Sequence, residues 1–199
     1  MPLAHLLLFG SVVVVVWLLA IYFWPRMLMI VYKRAILVRG FGEGPIPINT
    51  LYAEPQQLFA EPITAQSASG SNLATVGANH DTLYIGGWLD LALGPQILHV
   101  PDMAGRYYSV QLTNPSYNTN FAYVGKRATG TAAGDYLITG PGWQGPVPAG
   151  LTRIASPNNS VLVLGRVLVY SDSDLPAAHE LARQIQLRPL AQARNGRTL

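Results

Sequence analysis

Nearly every position from residue 3 to residue 24 is apolar: His5 is the only strongly polar side chain, and Val12 to Val16 run without a break into Trp17-Leu18-Leu19. A helix that is hydrophobic all round has no polar face to turn to water. With a rise of about 1.5 Å per residue, about 20 such residues cross a hydrocarbon layer about 30 Å thick. The pattern therefore predicts one membrane-spanning helix, with Val12 and Val16 in the apolar stretch and Trp17, Tyr22 and Trp24 suited to the interfacial belt. A cleaved signal peptide fits less well, because bulky Tyr22, Phe23 and Trp24 stand where small cleavage-site residues belong and no basic region precedes the run. Pro25 can kink or restart the helix. The stretch 26–39 mixes apolar residues with Arg26, Lys33, Arg34 and Arg39. Two readings stay open for it: a segment lying along lipid headgroups, or a continuation of the anchor helix that docks on the following domain.

Beyond Gly40 the period changes. Repeated Gly and Pro (Gly42, Gly44, Pro45, Pro47, Pro55, Pro62) predict an irregular connection. Alternating or β-branched runs at 82–88, 97–100, 107–112, 120–124, 135–139 and 161–169, separated by turn-forming stretches, predict short strands. Across 174–188, Leu175, His179, Leu181, Ala182 and Ile185 recur at helical spacing; Asp174 can cap and Pro176 suits a first turn. The expected fold is mainly β: a β-sandwich or jelly-roll-like domain with one N-terminal transmembrane helix and one C-terminal helix. The organisation is an anchor and juxtamembrane helix at 1–39, a linker at 40–62, a β-rich domain at 63–190 and a polar tail at 191–199.

Composition supports this picture and narrows the chemistry. Of the 199 residues 12% are charged, against about a quarter in an ordinary soluble domain, and the apolar N-terminus accounts for part of the deficit. Cysteine is absent, which excludes disulfides, thiolate metal sites and cysteine nucleophiles. The net charge of +3 arises from basic residues beside the apolar run and near the C-terminus (Arg183, Arg188, Arg194, Arg197). That distribution suits anionic lipid and a solvated tail rather than nucleic acid. By the positive-inside tendency, the basic residues at 26–39 argue for a cytoplasmic domain.

Several segments carry a resemblance. Asn79-His80-Asp81-Thr82-Leu83-Tyr84, then Trp88-Leu89-Asp90-Leu91, then Val100-Pro101-Asp102-Met103-Ala104-Gly105-Arg106-Tyr107-Tyr108-Ser109-Val110-Gln111-Leu112 are followed by Asn120-Phe121-Ala122-Tyr123-Val124-Gly125, Thr129-Gly130-Thr131, Gly140-Pro141-Gly142-Trp143, Ser156-Pro157 and Leu164-Gly165-Arg166. In this order they resemble the bacterial family catalogued as domain of unknown function 1254, over roughly 49–190. The resemblance implies a mostly-β, usually exported domain, often joined or paired with a second β-rich domain catalogued as 1214; the form expected here lacks that companion. It also leans toward a periplasmic domain, against the charge count; with the apolar run, the expectation is a single-pass protein of the inner (cytoplasmic) membrane with its main domain in the periplasm. The family establishes no general reaction.

The densest polar group is Asn79, Asp81, Tyr84, Asp90, Asp102, Arg106, Tyr107 and Gln111. As a site it would be a pocket in which Arg106 holds an anion, Asp81 orients or deprotonates a group and Tyr107 or Tyr84 supplies a hydroxyl. As structure it would be an ion pair with Asx-turns at strand ends, and Asp-Met-Ala-Gly is the composition of a turn. His80, His99 and His179 are scattered with no metal-ligand spacing, so no metal is expected. Gly-x-Ser-x-Gly is absent, and the glycine-rich stretch at 140–145 lacks the Lys-Ser/Thr of a phosphate loop, so no cofactor is expected. Two functions follow. The favoured one is a membrane-anchored accessory or binding protein whose partners are the bilayer and other membrane-protein subunits, with Gly10 and Ser11 allowing a neighbouring helix to approach. The alternative is a membrane-tethered enzyme, for instance a hydrolase, working around Asp81, Arg106 and Tyr107.

Overall fold

The computed structural model describes residues 2–40, 44–53 and 81–190. Helix α1 (Leu3–Arg39) comes first and is followed by strands β1 (Leu51–Ala53), β2 (Thr82–Asp90), β3 (Gln96–Val100), β4 (Tyr108–Asn114), β5 (Thr119–Gly125), β6 (Gly134–Thr139), β7 (Leu151–Ala155) and β8 (Ser160–Leu168). Helix α2 (Leu175–Gln184) and strand β9 (Gln186–Pro189) complete the described chain.

The strands form two sheets, one of five in the order β1-β2-β8-β4-β5 and one of four in the order β7-β6-β3-β9. This is a β-sandwich with a long apolar helix at its N-terminal end and a short helix near its C-terminal end. Every neighbouring pair is antiparallel except β6 and β7, which are parallel. That pair departs from an all-antiparallel jelly roll. Its connection at 140–150 folds back on the sheet, where Arg153 donates to the Trp143 carbonyl (3.1 Å) and to Thr139 (3.2 Å) and lies over the Trp143 ring.

The period-2 pattern sets which side chains meet. In β2, Leu83, Ile85 and Leu89 face inward, as do Val161, Val163 and Val167 of β8 and Tyr108, Val110 and Leu112 of β4. Leu98, Val100, Tyr136 and Ile138 of the second sheet close on them. Gly165 lies opposite Ile85, where an added Cβ would stand 3.1 Å from the isoleucine Cβ; the glycine makes room for that branch. Helix α2 carries the chain from the five-stranded sheet to the four-stranded one and buries Ala178 and Ala182 against the same core.

Several sequence expectations change here. The C-terminal helix stops at Gln184, and Gln186–Pro189 is an edge strand on β3. Part of the expected linker belongs to the fold: Leu51–Ala53 pairs with β2, and Ile46 and Ile48 pack on its outer face. Strand β7 was not expected at all. For the stretch 26–39 the structure shows a docked continuation of the helix: α1 runs unbroken through Pro25 to Arg39. Its distal end meets the outer face of the five-stranded sheet, where Ile36, Ile46, Trp88 and Leu162 form a second buried cluster edged by Met29, Ile48, Tyr52 and Leu164. The Trp88 indole donates to Ser160 Oγ at 2.7 Å, and the Lys33 ammonium lies 5.5 Å above its ring. The sandwich is thus joined to α1 by packing as well as by the chain.

Candidate functional site

The structure distributes the predicted polar residues over several places. Asn79 lies outside the described residues. Asp81 is exposed at the start of β2, and its carbonyl accepts from the Val169 amide (2.7 Å). Tyr84, on the outer face of β2, sits beneath the Arg166 guanidinium at 5.3 Å. Asp90 is at the opposite end of the strand, where its carboxylate accepts from the Ala92 amide (3.1 Å) and its own N–H donates to Asn49 (2.8 Å). Asp102 accepts from the amide of Ala104, which has a left-handed φ of 48°. This is the Asx-turn that Asp-Met-Ala-Gly composes.

Arg106 is buried at the start of β4, at the same end as Asp81 and the end of β8. It donates to the Leu168 carbonyl (2.7 Å) and grips Asp174 with two bonds, 2.5 and 2.7 Å, while its plane lies 4.8 Å from the Tyr170 ring. Its carboxylate partner is Asp174, not Asp81. Asp174 stands at the capping position just before α2, as expected, but its side chain makes no cap bond; instead it accepts from Arg106 and from the Tyr170 amide (2.9 Å). The hydrogen bonds from Arg106 first, then that from Tyr170, hold the Asp174 carboxyl down at about 2. The same bond raises the Arg106 pKa against the opposing effect of burial. A guanidinium committed in this way ties β4, β8 and α2 together, and an incoming anion would have to displace Asp174. Tyr107 beside it is half-buried, with Arg127 5.7 Å from its ring.

A second polar group was not visible in the sequence. His99 on β3 faces Asp135 on β6, with Nδ1 and Oδ1 2.7 Å apart, and Arg188 on β9 donates to the other carboxylate oxygen at 2.7 Å. A carboxylate on Nδ1 selects the tautomer whose Nε2 carries the lone pair, the form a general base uses. The only sequence signal is that His99 and Asp135 each sit in a strand; their register joins positions 36 residues apart. Among the described residues no group of three or more His, Asp or Glu converges to hold a metal.

The family described as "Protein of unknown function (DUF1254)" matches residues 61–189, more than half of the chain. The chain belongs to the DUF1254 family. The match takes in β2 to β9 and α2, and leaves α1 and β1 outside it. Among solved structures, the DUF1254 chain resembles the VPA0106 protein from Vibrio parahaemolyticus with a TM-score of 0.62 and 26% identity, over 87% of this chain and 38% of that one. It therefore spans well under half the length of that relative. An uncharacterised protein from Burkholderia cenocepacia lies further off, at a TM-score of 0.34 and 16% identity, over 61% of this chain and 31% of that one. No curated protein matches.

On the outer face of the five-stranded sheet the DUF1254 domain carries a chain of side-chain hydrogen bonds. Gln111 reaches Thr113 (3.4 Å), Thr113 donates to Asn120 (2.6 Å) and Asn120 donates to the half-exposed Tyr123 (2.7 Å). Gln111 and Tyr84 thus share a polar, aromatic face with Tyr123 and Arg166, next to the part that α1 covers.

Proposed function

We propose that this DUF1254 protein is a membrane-anchored accessory or binding protein. Helix α1 inserts in the cytoplasmic membrane, and the sandwich, on the periplasmic side, docks on another membrane-protein subunit. The observation that carries this reading is the second hydrophobic cluster: Ile36 on α1 is buried against Trp88 and Leu162, so the sandwich has a set position beside a helix long and apolar enough to cross a membrane. A packed tether suits a domain that must meet a partner in one orientation, since ordering it on binding costs less. The roles of Asp90, Asp102 and Arg106 in caps, turns and an ion pair lend support, because they leave those residues structural work. The periplasmic placement follows the exported character of the family; the four basic residues of α1 oppose it, but long domains translocate despite flanking charge.

A second reading, a membrane-tethered hydrolase, has one observation in its favour: the imidazole of His99 is oriented by Asp135. To separate the two, membranes from the native host are solubilised in mild detergent and the chain is sized. Accessory function expects a discrete assembly containing a second polypeptide at fixed ratio. A chain that migrates alone in its micelle contradicts it.

A further inference from the structure

The end of α1 has two faces. Met29, Lys33 and Ile36 lie toward the sheet, packed on or above the Trp88 cluster. At about 100° per residue, Leu28, Val31, Ala35 and Val38 fall roughly 150° around the helix from them. All four are exposed, and Leu28, Val31 and Val38 are half exposed or more. This apolar stripe, at the 3-4 spacing of a packing seam, is bordered by Arg34 on one side and Arg39 on the other.

Length says where the stripe sits. From Leu3 to Val38 the helix rises about 52 Å, far more than the hydrocarbon core of about 30 Å. A tilt near 40°, at the upper end of what such helices adopt, reduces this to about 40 Å, the thickness of a bilayer with its headgroup layers. A tilted helix has an upper and a lower face; with the sandwich on the upper one, the stripe turns down toward lipid. Charge decides between lipid and a second copy. Parallel pairing along this seam would place Arg34 of one helix near Arg39 of the other, five positions on, where like charges repel. Anionic headgroups instead neutralise both, while the apolar stripe meets the acyl boundary.

We infer that Leu28, Val31, Ala35 and Val38 form a lipid-contact face at headgroup level, with Arg34 and Arg39 on the phosphates of anionic phospholipids. The end of α1 is then held between the bilayer surface and the sheet. This rests on the reading of α1 as an anchor, and the test separates the two. The chain has no cysteine, so single nitroxide labels are unambiguous.

The full chain carrying Val14→Cys, Val31→Cys or Val38→Cys is labelled in vesicles of phosphatidylcholine with and without phosphatidylglycerol, and collision with oxygen and with a water-soluble nickel chelate is measured. With phosphatidylglycerol, labels at 31 and 38 are expected to meet oxygen and be shielded from nickel. Without it, or in an Arg34→Gln/Arg39→Gln background, nickel access at 38 is expected to rise several-fold. Free nickel access at 31 and 38 with hydrocarbon depth at 14 overturns the inference and leaves the anchor standing. An aqueous reading at 14 overturns both. Labels at 31 and 38 immobilised and shielded from both reagents show that protein covers the stripe, and overturn it. Shielding that ignores phosphatidylglycerol overturns the role of anionic lipid.

Discussion

Arg106 and Asp174 meet from 68 positions apart, and their pair is nearly closed to water, with side chains 11% and 18% exposed. Removing either partner leaves the other charge poorly solvated. Arg106→Ala or Asp174→Ala is therefore expected to cost about 2–3 kcal/mol, just below the range for fully buried pairs. Arg183→Ala, exposed on α2, should fall within about 0.5 kcal/mol of the parent. Chemical denaturation of the three variants checks this. The pH dependence follows from the lowered Asp174 carboxyl, about 2 against an ordinary 3.8. The folded state binds its proton later than the unfolded one, so the contribution is whole above about pH 4, falls between pH 4 and pH 2 and is gone below. The melting temperatures of the parent and Asp174→Asn should differ by a constant amount near neutrality and converge toward pH 2. Asp135, more open beside Arg188 and His99, should lose about 1 kcal/mol or less on truncation to alanine. Local chemistry was legible at this scale: the Asp102 turn needs only its next two residues. The Arg106–Asp174 and His99–Asp135 pairs depend on register and on helix docking, which the spacing of residues does not encode.

At the scale of elements, the strands that bury one face announce themselves by alternation. Strands β2, β4 and β8 appear in the sequence within one or two residues at most boundaries, because each sends β-branched or large apolar residues into the core every second position. Of the four described edge strands only β5 does. Strand β1 has three half-buried residues, β7 exposes Thr152, Arg153 and Ala155, and β9 ends at a proline; none buries enough to write a period into the chain. Likewise, the apolar run shows a helix, but not that its last turns dock on a sheet. That docking is open to test. Trp88→Ala removes a fully buried indole and its bond to Ser160, and should cost about 3–5 kcal/mol. Ile36→Asp places a carboxylate in the same cluster from the helix side. It should leave the sandwich core folded but detach α1, so that limited proteolysis separates helix from sandwich faster than in the parent. Equal cleavage rates would show that the cluster does not hold the two together.

At the scale of the whole molecule, membership of the DUF1254 family and the two-sheet fold agree with what the sequence motifs resemble, while partner and reaction belong to surfaces that motifs do not describe. The basic residues Arg26, Lys33, Arg34 and Arg39 pull the topology one way and the periplasmic placement proposed above the other. The central claim, that α1 anchors a sandwich lying outside the cytoplasm, is tested most directly with a single introduced cysteine at Tyr117, which is well exposed in the turn between β4 and β5. Intact spheroplasts expressing Tyr117→Cys are treated with a membrane-impermeant maleimide, and their membranes are then washed with alkaline carbonate. The expected result is a chain labelled before lysis and retained in the washed membrane. A chain labelled only after lysis, or one that the wash releases, contradicts the account.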